Sequence, residues 1–187
     1  MADMARQLRI VHYLDQFFAG MGGDDKADIG PSVIEGPVGP GRLLQRLLGD
    51  RGQVVATFIC GDNFISGMPG FDESHLKQAM DTLRAALDEH KADVVVAGPA
   101  FLETRFGIGC GEVCIASQSR GIPALAAMHP ENGAVPLYVK EVYIMPTGDS
   151  AGEMQAIMFR LAHLVLKLGE QGKLGSPEED GYIPHDG

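Results

Sequence analysis

Three short apolar runs constrain this chain more than anything else in it. LRIVHYL (8–14), QVVATFIC (53–60) and ADVVVAG (92–98) have strand length and β-branched residues, and their apolar character hardly breaks on either face. A strand apolar on both sides must be covered on both sides, which is the condition met in parallel sheets flanked by helices. IPALAAM (122–128) and EVYIMP (141–146) extend the series. The intervening segments have helical spacing. RLLQRLLG (42–49) predicts a short helix stopped by Gly49. Asp72 is placed to cap a helix whose stripe is Leu76, Ala79, Met80, Leu83 and Leu87. A helix is predicted around 108–120, and another from about 150 to 168 with Met154, Ile157, Leu161, Leu164, Val165 and Leu168 facing the core. Strands and helices in alternation predict an α/β fold, a three-layer Rossmann-like sandwich around a mostly parallel sheet.

The length of 187 residues suits one domain over 1–170, followed by an aperiodic stretch, 171–187, expected to be an extended tail or linker. A net charge of −10 without any cluster of Lys and Arg excludes a nucleic-acid backbone as partner. No apolar run reaches membrane-spanning length, and the N-terminus lacks the pattern of a signal peptide. Three cysteines, an odd number, suit a reducing compartment, so a cytoplasmic location is expected.

In open parallel sheets ligands meet the loops at the carboxyl ends of the strands. Those loops are where the sequence turns unusual: HYLDQFFAGMGG, CGDNF, GPAF and MHPENG each follow an apolar run. GIGCGEVC (107–114) carries Cys110 and Cys114, which are spaced to share a helix face. Three readings stand for these thiols. With Cys60 they could hold a soft metal, Cu or Zn. Cys110 near a helix start could be an activated thiol. Buried packing is the third, and the one favoured for Cys114 between Val113 and Ile115. No dinucleotide or P-loop glycine pattern is present. Arg42, at the start of the helix after IGPSVIEGPVGPG, could clamp a carboxylate, or the glycines and prolines there only shape a turn. Asp62 and Asn63 could orient a substrate amine, bind a partner's cofactor, or form an Asx turn. His129, Glu131 and Asn132 could supply a proton carrier with an orienting carboxylate, or form a plain turn. His12 stands within a strand, as a core residue or a polar participant. His75, His90 and His163 share no spacing and are read as structural, and Glu178, Glu179 and Asp180 as a solvated tail.

The same loops carry a family resemblance. VHYLDQFFAGMGG (11–23), KADIGPSVIEGPVGPGR (26–42), ICGDNF (59–64), AGPAF (97–101), RFGIGCG (105–111), HPENG (129–133) and GSPEEDGYIP (175–184) together resemble the selenoprotein B subunit of glycine, sarcosine and betaine reductases. The resemblance is to the N-terminal portion of that family. It implies reductive cleavage of a carbon–nitrogen bond in a small amine or amino-acid derivative. It also implies that the redox pair, selenocysteine or cysteine followed two residues later by cysteine, lies in a C-terminal portion; no CxxC occurs in this sequence. The expected partners are therefore the small substrate and a second subunit resembling that C-terminal half, in a hetero-oligomer, with no cofactor of this chain's own. Within that picture Cys60, Cys110, Asp62 and His129 are the expected catalytic residues, and Glu35, Arg42, Asn63, Glu131 and Asn132 the expected substrate-binding ones. The rival readings are a non-catalytic binding or scaffold subunit, and a metal-dependent enzyme using the cysteines.

Overall fold

Each apolar run forms a strand, and alternate side chains enter opposite layers. In β1 (Leu8–Leu14), Leu8 and Ile10 join one apolar cluster and Val11 and Tyr13 the other. β4 (Val94–Ala97) divides likewise, Val94 and Val96 from Val95 and Ala97, as does β5 (Ala124–Met128), Leu125 and Ala127 from Ala126 and Met128. Burial on both faces is why these runs show no polar alternation.

The computed structural model describes residues 6–186. With β2 (Ser32–Glu35), β3 (Gly52–Ile59) and β6 (Tyr143–Pro146), the strands make one six-stranded sheet in the order β2-β3-β1-β4-β5-β6. All neighbours pair in parallel except β2, which runs antiparallel along β3. Helices α1 (Gly41–Leu48) and α6 (Met154–Gln171) cover one face through Leu44, Leu48, Ile157, Leu161, Val165 and Leu168. The other face carries α2 (Asp62–Ser66), α3 (Glu73–Glu89), α4 (Thr104–Ser119) and α5 (Val135–Tyr138). The expected three-layer, mostly parallel α/β sandwich is the fold observed.

Local signals fix several boundaries. The Asp72 carboxylate accepts from Ser74 N (3.0 Å) and His75 Nδ1 accepts from Asp72 N (3.1 Å), a reciprocal cap that starts α3. Gly49 takes a positive φ of 57° after α1. Two features depart from expectation. β2 lies inside the glycine- and proline-rich 30–42 segment, where turn residues hide a four-residue edge strand with little buried surface. The segment after α6 does not stand free: Leu174 and Tyr182 are buried, Ile183 N donates to Ile144 O (2.9 Å), and Lys167 pairs with Asp180 (2.8 Å) in the short α7 (Pro177–Asp180). Among the described residues no helix is long and apolar enough to cross a membrane.

Without β2, the parallel strands run second-first-third-fourth-fifth. The chain therefore moves to one side of β1 with β3 and to the other side with β4. At such a reversal the flanking loops part and leave a crevice outside the strand ends.

Candidate functional site at the strand reversal

A cleft of about 460 Å³ occupies that crevice. Its walls come from the loop after β1 (Asp15, Gln16, Phe17, Phe18, Gly23, Asp24), from Asp62 after β3, and from Ala100, Phe101, Glu103 and Arg105 after β4. Asp149 and Ala151, beyond β6, complete it. It holds five carboxyl side chains and one guanidinium beside three phenyl rings.

The β1 and β3 loops are fastened to each other. Gln16 Nε2 donates to Asp62 Oδ2 and Gln16 Oε1 accepts from Asp62 N, both at 3.0 Å. Gly61 N donates to Ile29 O (3.0 Å) and Asn63 N to Ala27 O (2.8 Å), which brings the 27–29 backbone against Gly61. A Cβ at position 61 would collide with Ala27 O and stand 2.7 Å from Ile29 O. Glycine is thus required before Asp62, and this approach aims the Asp62 side chain at the cleft.

Asp15 and Asp62 are both only 2% exposed, and their carboxyls lie within hydrogen-bond reach of each other. Burial raises the Asp62 pKa most, and the neighbouring Asp15 charge raises it further. Asp15 is also raised by burial, against the bond it accepts from Phe18 N at 2.9 Å. Two buried carboxyls this close do not both ionise near neutral pH, so the pair holds one proton between them. Asp62 Oδ1 has no partner among the protein's donors.

Arg105, in the first turn of α4, binds Glu103 Oε1 (2.9 Å), Asn63 Oδ1 (2.8 Å) and Asp24 Oδ1 (2.9 Å). These bonds hold it ionised and tie three walls of the cleft together. Phe18 lies 5.1 Å from Phe17, edge to face, and 5.9 Å from Phe101, measured between ring centres.

The structure brings together only some of the residues expected at a site. Asp62 lines the cleft, and Asn63 lies behind it, holding Arg105 and donating to Asp28 Oδ1 (2.8 Å). Cys60 and Cys110 belong to the apolar cluster beneath, with no exposed surface. Burial pushes the Cys60 thiol up to about 12 and raises Cys110 and Cys114 as well, so all three stay protonated. α4 begins at Thr104, earlier than predicted, capped by the Glu103 carboxylate on Arg105 N (3.1 Å). Cys110 therefore lies in the second turn, beyond the strong part of the helix dipole.

His129 and Glu131 stand outside the cleft lining, with His129 Nδ1 accepting from Glu131 N (2.9 Å). Asn132 is buried as a brace: its Nδ2 donates to Phe101 O (2.9 Å) and Glu103 O (3.1 Å), and its Oδ1 accepts from Ala134 N (2.8 Å). Glu35 and Arg42 are exposed and do not line the cleft. His12 is fully buried, donating from Nε2 to Gly98 O (2.7 Å), and burial lowers its pKa to about 4, so the ring is neutral.

Sequence reasoning missed Asp15, Gln16, Arg105 and the phenyl rings. A signal existed for the first two, because Asp15 and Gln16 are the first polar residues after an apolar strand whose end was already suspect. Among the described residues no group of three or more His, Cys, Asp or Glu side chains is arranged to hold a metal ion. A larger hollow, about 700 Å³, lies between β6, α6 and α7. No buried side-chain polar atom lacking a partner faces it among the described residues, so it carries no comparable chemistry.

Comparison with known proteins bears on what such a cleft belongs to. The profile of the glycine/sarcosine/betaine reductase selenoprotein B family matches residues 7–187. The chain is 42% identical over 95% of its length to the glycine reductase complex component B subunit gamma of Carboxydothermus hydrogenoformans. It is 39% identical over 95% to the sarcosine reductase complex component B subunit beta of Peptoclostridium acidaminophilum. To the betaine reductase complex component B subunit beta of the same organism it is 34% identical over 94%. In each case it spans 39% of the relative's own length. No solved structure matches. The match along almost the whole chain places this protein in the glycine/sarcosine/betaine reductase selenoprotein B family.

Proposed function

We propose that this chain forms the substrate-pocket portion of a glycine/sarcosine/betaine reductase-type complex. Its role is in reductive cleavage of a carbon–nitrogen bond in a small amine or amino-acid derivative, with the redox-active cysteine or selenocysteine contributed by another chain. One observation carries the division of labour: the cleft presents carboxyls and phenyl rings, while every thiol of the chain is sealed beneath it and protonated. A sulfur or selenium nucleophile needs its anion and a path to the substrate. Nothing at this cleft supplies either.

Charge and shape support the substrate class. Five acidic side chains against one arginine favour a cation, and the relatives are named for glycine, sarcosine and betaine, each bearing a cationic nitrogen. Phe17 and Leu102 are exposed where the β1 and β4 loops meet the mouth, an apolar rim suited to a covering subunit. In this reading Asp62 serves the reacting end, Asn63 braces Arg105 behind it, and Cys60 and Cys110 pack in the apolar cluster beneath.

The test is reconstitution. Co-expressed with a chain resembling the family's C-terminal portion, this protein is expected to copurify with it and to release amine in a dithiol-dependent reaction that neither chain performs alone. Turnover by this chain by itself would overturn the reading.

A further inference from the structure

We propose that the Asp15–Asp62 pair is the seat for an ammonium nitrogen bearing at least one N–H, walled by Phe17, Phe18 and Phe101. Acidic residues alone would not carry this. The independent observation is Asp62 Oδ1, an acceptor on a cleft-lining side chain only 2% exposed, with no protein donor. An N–H from a ligand gives it the donor it lacks. The phenyl rings that line the same cleft suit the alkyl part of such a cation. Gln16, bonded to Asp62 through both side-chain atoms, is the positioning residue that keeps Oδ2 occupied and leaves Oδ1 for the ligand.

The inference deepens the proposed function and rests on it only for the ligand's identity as substrate nitrogen. It also discriminates among substrates. A primary or secondary ammonium can donate to Asp62 Oδ1, whereas a quaternary one, as in betaine, has no N–H to give.

Binding is coupled to the shared proton. A cation entering the seat favours the doubly ionised pair, so the proton leaves to solvent and affinity rises with pH. The charged neighbours are Glu103 and Arg105 from α4, Asp24 from the β1 loop and Asp149 from beyond β6. Tyr13, Cys60 and Cys110 lie beneath and stay neutral over the range. Arg105 is ionised throughout. The steep pH dependence therefore belongs to the pair.

The experiment titrates the chain with methylammonium, dimethylammonium and tetramethylammonium by ligand-observed NMR between pH 6 and 8.5. The first two are expected to bind with Kd falling by about tenfold per pH unit below the upper titration of the pair, and tetramethylammonium at least tenfold more weakly. Asp62→Asn is expected to weaken methylammonium at least tenfold and to flatten its pH profile, and Asp15→Asn to do the same should the first variant fail to fold. No binding of methylammonium by the folded wild-type chain would overturn the proposal. So would equal binding of tetramethylammonium, or a pH-independent Kd. Loss of the seat would leave membership in a two-chain reductase standing, since copurification and dithiol-dependent turnover test that separately.

Discussion

Gly61 and Asp62 show how much of the site is decided at single residues. The glycine lets the 27–29 backbone close on the end of β3, and the aspartate then has one direction to face. Gly61→Ala must push two carbonyls aside and is expected to cost about 2–3 kcal/mol in chemical denaturation; a loss below about 0.5 kcal/mol would show the approach to be slack. Asp62 acts on stability in the opposite sense. Its folded pKa lies above its unfolded value, so the native state binds the extra proton and stability falls as pH rises through the window between the two. Asp62→Asn removes that penalty and is expected to make the chain more stable than wild type at pH 8, by about 1–3 kcal/mol, with little difference at pH 4. Equal stability at both pH values would mean that the pair carries no shared proton. The Asp62 side chain was legible as a candidate because it follows a strand. Its partner Asp15 was not singled out, since nothing in a linear sequence says that the ends of β1 and β3 are neighbours.

Among elements, α4 departs most from what its sequence suggests. Gly107, Gly109 and Gly111 lie inside the helix, where each costs about 1 kcal/mol relative to alanine. Each gives a neighbour room. Asn132 Oδ1 would stand 2.5 Å from a Cβ at 107, Tyr13 Oη would collide with one at 109, and the Tyr138 ring with one at 111. The glycines of GIGCG are thus packing devices that seat α4 against β1, α5 and the HPENG loop. Gly109→Ala is expected to lose about 1–3 kcal/mol, because Tyr13 is fully buried between Phe58 and Phe106 and has nowhere to retreat. A neutral or stabilising result, as at an ordinary helical glycine, would contradict this. The helix itself was legible from its apolar residues. Its start at Thr104 is hidden by the same glycines, which is why the sequence points to an N-terminus close to Cys110. β2 was hidden likewise, because an edge strand that buries little needs no apolar run.

At the scale of the whole molecule, the sandwich was readable because both faces of its strands are buried, which only a covered parallel sheet explains. The cleft's composition was not readable, since it depends on strand order, and order is set by how helices pack across the sheet. The C-terminal segment lacks periodicity and so carries no packing signal in the sequence, yet Tyr182 packs edge to face on Tyr143 at 4.9 Å and donates to Gly175 O (2.7 Å). Tyr182→Ala is expected to cost about 3 kcal/mol of unfolding free energy, whereas a free tail would make it silent. The central claim is that this fold supplies the pocket and another chain the reacting sulfur or selenium. It is tested most directly by amine release from the reconstituted two-chain complex carrying Cys60→Ala and Cys110→Ala in this chain. Turnover within a few-fold of wild type is predicted; a folded, assembled complex with no turnover would contradict the account.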